Sequence, residues 1–103
     1  MHYYQHNIAD YRKDTTHLTL LEHGAYHQLL DQYYLSELPI PLDENKLHRL
    51  MCARNEDEKN AIQTVLEDFF IKTEDGYIHK RCDVEIEAYQ TKSERAVIAA
   101  KLR

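Results

Sequence analysis

Both prolines of the chain lie in one five-residue segment, Leu38-Pro39-Ile40-Pro41-Leu42, and only two glycines accompany them in 103 residues. Each proline removes a backbone donor and restricts the residue before it, so this segment cannot lie inside a helix. Elsewhere the scarcity of glycine and proline favours helix. The chain is therefore predicted to be mainly helical, interrupted at residues 38–42 by an extended connector or a short edge strand.

Capping residues and apolar spacing predict four helices, at about residues 19–37, 44–53, 56–70 and 83–103. Thr19 and Glu22 have the Ser/Thr-x-x-Glu spacing of a capping box, and Asp43 and Asn55 are good N-caps. The third helix has the clearest apolar periodicity, with Ile62, Val65, Leu66, Phe69 and Phe70 on one face. In the second helix the residues expected to face inward are Leu47, Leu50 and Met51.

Two segments carry weaker signals. Residues 1–18 are polar and rich in tyrosine and histidine, and are interpreted as an ordered arm or short strand. Gly24 lies inside the first predicted helix, where glycine costs roughly 1 kcal/mol relative to alanine. Its presence suggests that another backbone packs closely there, the alternative being simple tolerance of one glycine.

A hairpin is predicted before the last helix. Asp75-Gly76 favours a type I′ turn, whose two central residues need positive φ, between strands at residues 71–73 and 77–80. Helix, connector, helix, helix, hairpin, helix is the order of a winged helix-turn-helix domain, in which the third helix enters a DNA groove and the hairpin is the wing. We expect such a domain at residues 1–90, with 91–103 as the projecting end of the last helix. Many winged helices bind proteins instead.

The charge distribution limits the functions that this chain can perform. Its formal net charge is -5, which is unfavourable for binding phosphates. Residues 55–78 carry two Lys/Arg and seven Asp/Glu, whereas residues 79–103 carry six and four. No apolar run has the length of a membrane span and the N-terminus has no apolar signal core, so a cytoplasmic protein is expected. Cys52 and Cys82 form no CxxC and are expected to be free, small core residues.

A metal site is the first chemical alternative, because His23 and His27 have i, i+4 ligand spacing. A zincin helix has a glutamate directly after its first histidine, and here that residue is Gly24. No close ligand pair supplements the two histidines. No metal and no cofactor are therefore expected. The chain also lacks a GxSxG sequence and a phosphate-binding glycine loop, so no enzymatic activity is expected.

DNA binding is the main functional hypothesis. The outward residues of the third helix include Lys59, Asn60, Gln63 and Thr64, of which Asn60 and Gln63 suit adenine edges. A small basic patch near the hairpin, suited to phosphate contacts, consists of Lys72, His79, Lys80 and Arg81. The acidic first turn of the third helix, residues 56–58, would repel phosphates. We therefore expect weak, salt-sensitive binding to double-stranded DNA.

The alternative is a protein-interaction or oligomerisation module without direct DNA contact. The acidic face of the third helix, the tyrosines of the N-terminal arm and the last helix are the candidate surfaces. Homo-oligomers would form through the last helix. The arm tyrosines, Tyr3, Tyr4 and Tyr11, are equally compatible with a half-buried core edge.

Four segments resemble those of one family: DYRKDTTHLTLLEHGAYHQLLDQYY, LPIPLDENKLHRLM, VLEDFF and DGYIHKRCDVEIEAY. Together they resemble the YdaU-like prophage proteins, a family of unknown function, from about Tyr3 to Gln90. The LxxxEHGAY-like segment, Leu18 to Tyr26, is the most specific part. The resemblance implies the N-terminal domain of longer phage proteins, often described as replication proteins, with a fold similar to the winged helix of phage replication organisers. It implies phage or host replication proteins as partners and no catalytic residue, and it implies that this chain is a short member or a fragment.

Overall fold

The computed structural model describes residues 1–101, which form five helices and one two-stranded hairpin. The elements are α1 (Ile8–Asp14), α2 (Leu20–Ser36), α3 (Glu44–Leu50), α4 (Glu56–Phe69), β1 (Ile71–Thr73), β2 (Gly76–Ile78) and α5 (Lys80–Lys101). The mainly helical class with a small antiparallel hairpin is confirmed. The last predicted helix was expected to include Leu102 and Arg103, which lie outside the described residues.

Helix α2 begins at the predicted capping box. The Thr19 hydroxyl accepts from the backbone N–H of Glu22 at 3.2 Å, and the Thr19 N–H donates to the Glu22 carboxylate at 2.9 Å. These reciprocal bonds satisfy two amides that the helix leaves unpaired. The helix ends where Glu37 adopts a left-handed backbone with φ of 56°.

The core lies where α2 packs against α4 and α5. Leu29, Val65 and Leu66 are completely buried there. Four of the five apolar residues predicted for α4 are buried, while Phe69 is half-buried. Burying one such side chain contributes roughly 1.5–3 kcal/mol, so this contact is the main apolar source of stability.

The connector pairs with the hairpin, as an edge strand would. Ile40 N–H donates to the Tyr77 carbonyl at 2.9 Å, and Tyr77 N–H donates to the Ile40 carbonyl at 2.8 Å. Gly76 is essential to this contact, because its φ is 139° and a Cβ there would lie 2.5 Å from the Ile40 carbonyl oxygen.

The prediction of a type I′ turn is wrong: Thr73 pairs with Gly76, so residues 74–75 form the turn, and neither has positive φ.

The N-terminal segment contains a helix that the sequence analysis missed. Residues 1–18 were interpreted as an arm or strand, but Asn7 caps α1 by accepting from the N–H of Asp10 at 3.1 Å. No residue of α1 is buried, so the helix lacks the apolar stripe by which amphipathic helices are found. The arm tyrosines differ from one another: Tyr3 is exposed, while Tyr4 and Tyr11 are half-buried.

Helix α3 is shorter than predicted. It ends at Leu50 because Cys52 adopts a left-handed backbone with φ of 59° and the Ala53 N–H turns back to the His48 carbonyl at 2.9 Å. This end exposes Leu50, which was expected to face inward, and Cys52, which was expected in the core. Cys82 is buried as predicted, and both cysteines are free.

Helix α5 begins at Lys80, three residues before its predicted start. Its first two turns bury Cys82 and Ile86. Residues 87–101 are all exposed, and within this stretch Gln90 donates to the Glu37 carboxylate at 2.9 Å.

Candidate functional site

The predicted DNA-contacting residues of α4 are largely outward, as expected. Asn60 and Gln63 are exposed, whereas Lys59 and Thr64 are half-buried. The Lys59 amine lies 3.7 Å from the Glu56 carboxylate, and the Gln63 amide donates to another carboxylate of α4 at 3.1 Å. A DNA base would therefore compete with carboxylates of the same helix for both of these side chains.

The charge of α4 opposes DNA binding by the helix alone. The helix contains five carboxylates and one lysine, and three of the carboxylates fill its first turn. Carboxylates at a helix N-terminus stabilise the helix by offsetting its dipole. They also cancel the partial positive charge that would attract phosphate at that end. Positive charge for DNA contacts must come from other elements.

The basic patch near the hairpin is smaller than predicted. Lys72 on β1 and Lys80 at the start of α5 are exposed. Arg81 is exposed but lies 3.2 Å from the Asp10 carboxylate and 4.0 Å from that of Glu85. His79 differs from the other three, because its side chain is buried and does not belong to the exposed part of this patch.

His79 instead lies between the end of the hairpin, α2 and the start of α5, and it contacts both helices. Its Nδ1 accepts from the Cys82 N–H at 3.3 Å, which caps α5 and explains the early start of that helix. Its Nε2 lies 2.9 Å from the Tyr26 hydroxyl. Since Nδ1 accepts, the neutral ring carries its proton on Nε2 and donates it to Tyr26. Burial, with a further contribution from the Arg81 charge, lowers the pKa of His79 below its usual value.

Three tyrosines of α2 form a row of contacts with His79 and with the first turns of α5. Besides Tyr26, Tyr33 donates to the Asp83 carboxylate at 2.5 Å, and Tyr34 donates to that of Glu85 at 2.7 Å. The sequence analysis treated these tyrosines only as an apolar face. Their spacing of seven and eight residues places the three hydroxyls on one side of the helix, but their partners lie about fifty positions away and leave no local signal.

The N-terminal arm covers a cavity of 260 Å³ next to this row. The Tyr4 ring stacks on Tyr34 with centroids 4.1 Å apart, and the Tyr4 hydroxyl donates to Asp31 at 2.7 Å. The cavity is lined by aromatic rings and by charged side chains, among them Asp14 and Arg81. The buried Cys82 thiol also lines it, and burial raises the pKa of this thiol to about 11.

The two histidines with ligand spacing pack against the N-terminal segment. Nδ1 of His23 lies 2.8 Å from the Tyr11 hydroxyl, and the His27 ring lies against Tyr11 and His6. Within residues 1–101, no group of three potential ligands from His, Cys, Asp and Glu is close enough to hold a metal ion. Among those residues, too, no helix has the length and apolar character to cross a bilayer.

Gly24 faces a groove, so the predicted close approach of another backbone is wrong. Nothing lies within 4 Å of the position that a Cβ on Gly24 would occupy. The glycine lies in a groove of 480 Å³ between α2 and α4, hereafter the α2–α4 groove, whose lining includes Leu20, Leu21, Gly24, Met51, Ala61 and Ile62. An exposed apolar groove of this kind is a candidate binding surface.

Comparisons with known proteins identify a family but no activity. The family model described as "Protein of unknown function (DUF1376)" matches residues 2–87. The chain is 32% identical over 99 residues to the uncharacterized protein YdaU of Escherichia coli (strain K12). That match covers 96% of this chain and 34% of YdaU, so the chain spans only about a third of this curated relative. No solved structure matches the chain.

Proposed function

The chain belongs to the DUF1376 family of proteins of unknown function, and from this premise we propose that it is a non-enzymatic DNA-binding module of winged helix-turn-helix type. The observation that carries the proposal is the pairing of Ile40 with Tyr77. It joins the connector after α2 to the hairpin after α4 through one antiparallel bridge, where a winged helix has its third strand. The order α2, strand, α3, α4, hairpin is that of winged helices, with α4 as the groove helix and β1–β2 as the wing.

The exposed side chains suit a weak DNA contact. Asn60 and Gln63 on α4 are amides that can pair with adenine edges, and Lys72 and Lys80 suit phosphates on either side of the wing. Because the first turn of α4 is acidic, affinity should be low and strongly dependent on salt. With the resemblance to YdaU-like prophage proteins, we place this activity in a cytoplasmic prophage protein of replication type.

Fluorescence anisotropy with a labelled duplex at low salt tests the proposal. We expect a Kd of roughly 10⁻⁴ to 10⁻⁶ M, the range of non-specific binding. Lys72→Ala and Lys80→Ala should each weaken binding and reduce the salt slope by about one. Lys92→Ala, in the exposed half of α5, is the matched control and should bind like the wild type. Absence of binding at roughly 100 µM protein, or equal losses in all three variants, would refute the proposal.

A second candidate function is a protein-interaction or oligomerisation module, possible partners being replication proteins or a further copy of the chain. The observation that favours it is the exposed half of α5. The buried face of this helix at Cys82 and Ile86 continues as Tyr89 and Val97, which are 43% and 51% exposed. Helices without tertiary packing are only marginally stable in water, so a partner covering this half would stabilise it. Light scattering with and without residues 91–103 tests this candidate.

A further inference from the structure

The α2–α4 groove is an apolar surface that the DNA-binding proposal does not use. Leu20 and Leu21 at its edge are 89% and 45% exposed. Its lining combines these leucines with two small residues, Gly24 and Ala61, and nothing lies within 4 Å of the position that a Cβ on Gly24 would occupy. A groove lined by small residues and leucines fits one aliphatic side chain projecting from a helix.

The edge of the groove is acidic. Glu58 lines it directly, and residues 54–58 contain three carboxylates and one arginine, a net charge of -2. An occupant that combines an aliphatic side chain with positive charge on both sides would therefore complement the groove in shape and in charge.

The exposed end of α5 has this combination. Residues 91–101 contain Lys92, Arg95 and Lys101 against one glutamate, a net charge of +2. Arg95, Ile98 and Lys101 are spaced by three residues, so they lie on one face of the helix. Ile98, between the two basic residues, is 57% exposed.

We propose that the end of α5 in one copy of the chain lies in the α2–α4 groove of a second copy, with Ile98 as its apolar anchor. Arg95 and Lys101 then lie beside the acidic edge at residues 54–58. Two copies that exchange their helices reciprocally bury both grooves and form a closed pair. This inference rests on the second candidate function, and it names the surface through which assembly occurs.

Two substitutions test the groove and the helix end of the proposed contact separately. Gly24→Leu places a bulky side chain in the groove, and nothing lies within 4 Å of the position of its Cβ. Ile98→Asp removes the anchor from an exposed site. Val84→Asp is the matched control, because Val84 is 68% exposed on the same helix but outside its end. Circular dichroism and thermal melting establish that each variant is folded.

Multi-angle light scattering at roughly 100 µM measures the assembly, a concentration suited to a small, weak interface. The wild type and Val84→Asp should show twice the 12.3 kDa mass of one chain. Gly24→Leu and Ile98→Asp should each remain at the mass of one chain. An equimolar mixture of these two variants should pair more than either variant alone but less than the wild type, because one intact helix end meets one open groove and the reciprocal contact is lost.

The outcomes separate this inference from the function on which it rests. If the wild type stays monomeric, this inference is refuted, whereas a module that binds replication proteins is not. If Gly24→Leu pairs as the wild type does while Ile98→Asp does not, assembly through α5 stands and docking in the groove is refuted. If the mixture of variants pairs no more than either variant alone, exchange between groove and helix is refuted as well.

Discussion

The hydroxyl of Tyr26 lies 2.9 Å from Nε2 of His79, and Nδ1 of the same ring accepts the Cys82 N–H that begins α5. One buried imidazole therefore joins α2, the end of the hairpin and the last helix. The contact with Cys82 requires the neutral ring, since protonation of Nδ1 would remove the helix cap and place a charge in the core.

Stability should fall when the pH is lowered past the ordinary pKa of histidine. In the unfolded chain His79 titrates near 6.5, while burial lowers its pKa in the folded chain. Between these two pKa values the unfolded state binds more protons than the folded state. The free energy of unfolding therefore rises with pH in that window, and above the window the His79 contribution to stability is fully present. His27, whose pKa is also lowered by burial, contributes with the same sign.

Urea unfolding between pH 5 and 8 measures this dependence. His79→Asn keeps a side chain that caps helices well but cannot titrate, so its stability curve should be flatter than that of the wild type. A variant whose curve has the wild-type slope would show that His79 is not the group responsible.

The two glycines should respond to alanine in opposite directions. Gly24→Ala should raise the free energy of unfolding by about 1 kcal/mol, because the helix gains propensity and no atom lies near the new methyl group. Gly76→Ala should lower it by roughly 2–4 kcal/mol, because φ is 139° and the methyl group would overlap the Ile40 carbonyl. Chemical denaturation of both variants gives the two values, and a destabilised Gly24→Ala would contradict the open groove.

The tyrosine row should contribute measurably to the docking of α5. Tyr33→Phe removes the hydroxyl that donates to Asp83, and Tyr34→Phe removes the one that donates to Glu85. Each change should lower the free energy of unfolding by about 1–2 kcal/mol, because a hydrogen bond to a charged acceptor is lost and water partly replaces it. Tyr3→Phe, at a residue 89% exposed, is the control and should leave the melting temperature unchanged.

The two cysteines should differ in reactivity. Cys52 is exposed, whereas Cys82 is buried and its thiol pKa is raised to about 11. Since the thiolate is the reactive form, a disulfide reagent at pH 8 should titrate one thiol per native chain and two in denaturant. Rapid labelling of both thiols in the native chain would mean that the contact between α5 and the core opens readily.

Local signals in the sequence predicted most of the fold. The capping box at Thr19, the N-caps of α3 and α4 and the apolar periodicity of α4 all depend on neighbouring residues, and the structure has each of them. The errors have causes that these signals do not include. The end of α3 depends on a left-handed cysteine, which sequence statistics disfavour, and the hairpin turn is displaced because Gly76 accommodates the Ile40 backbone.

The candidate site was less predictable than the fold. Exposure of Asn60 and Gln63 followed from the period of α4, since the opposite face is apolar. His79 was assigned to the surface because its neighbours in sequence are basic, whereas its burial results from contacts with Tyr26 and Phe70, which are distant or apolar residues. The α2–α4 groove could not be predicted, because a helical glycine is compatible both with close packing and with an open surface.

The bridge between Ile40 and Tyr77 also constrains the order in which the chain folds. When this pair forms, it closes a loop that contains α3, α4 and the first strand. Closing a long flexible loop costs entropy, whereas a loop already shortened by folded helices closes more readily. The bridge should therefore form late, and in pulsed hydrogen exchange its two amides should gain protection after those of α2 and α4.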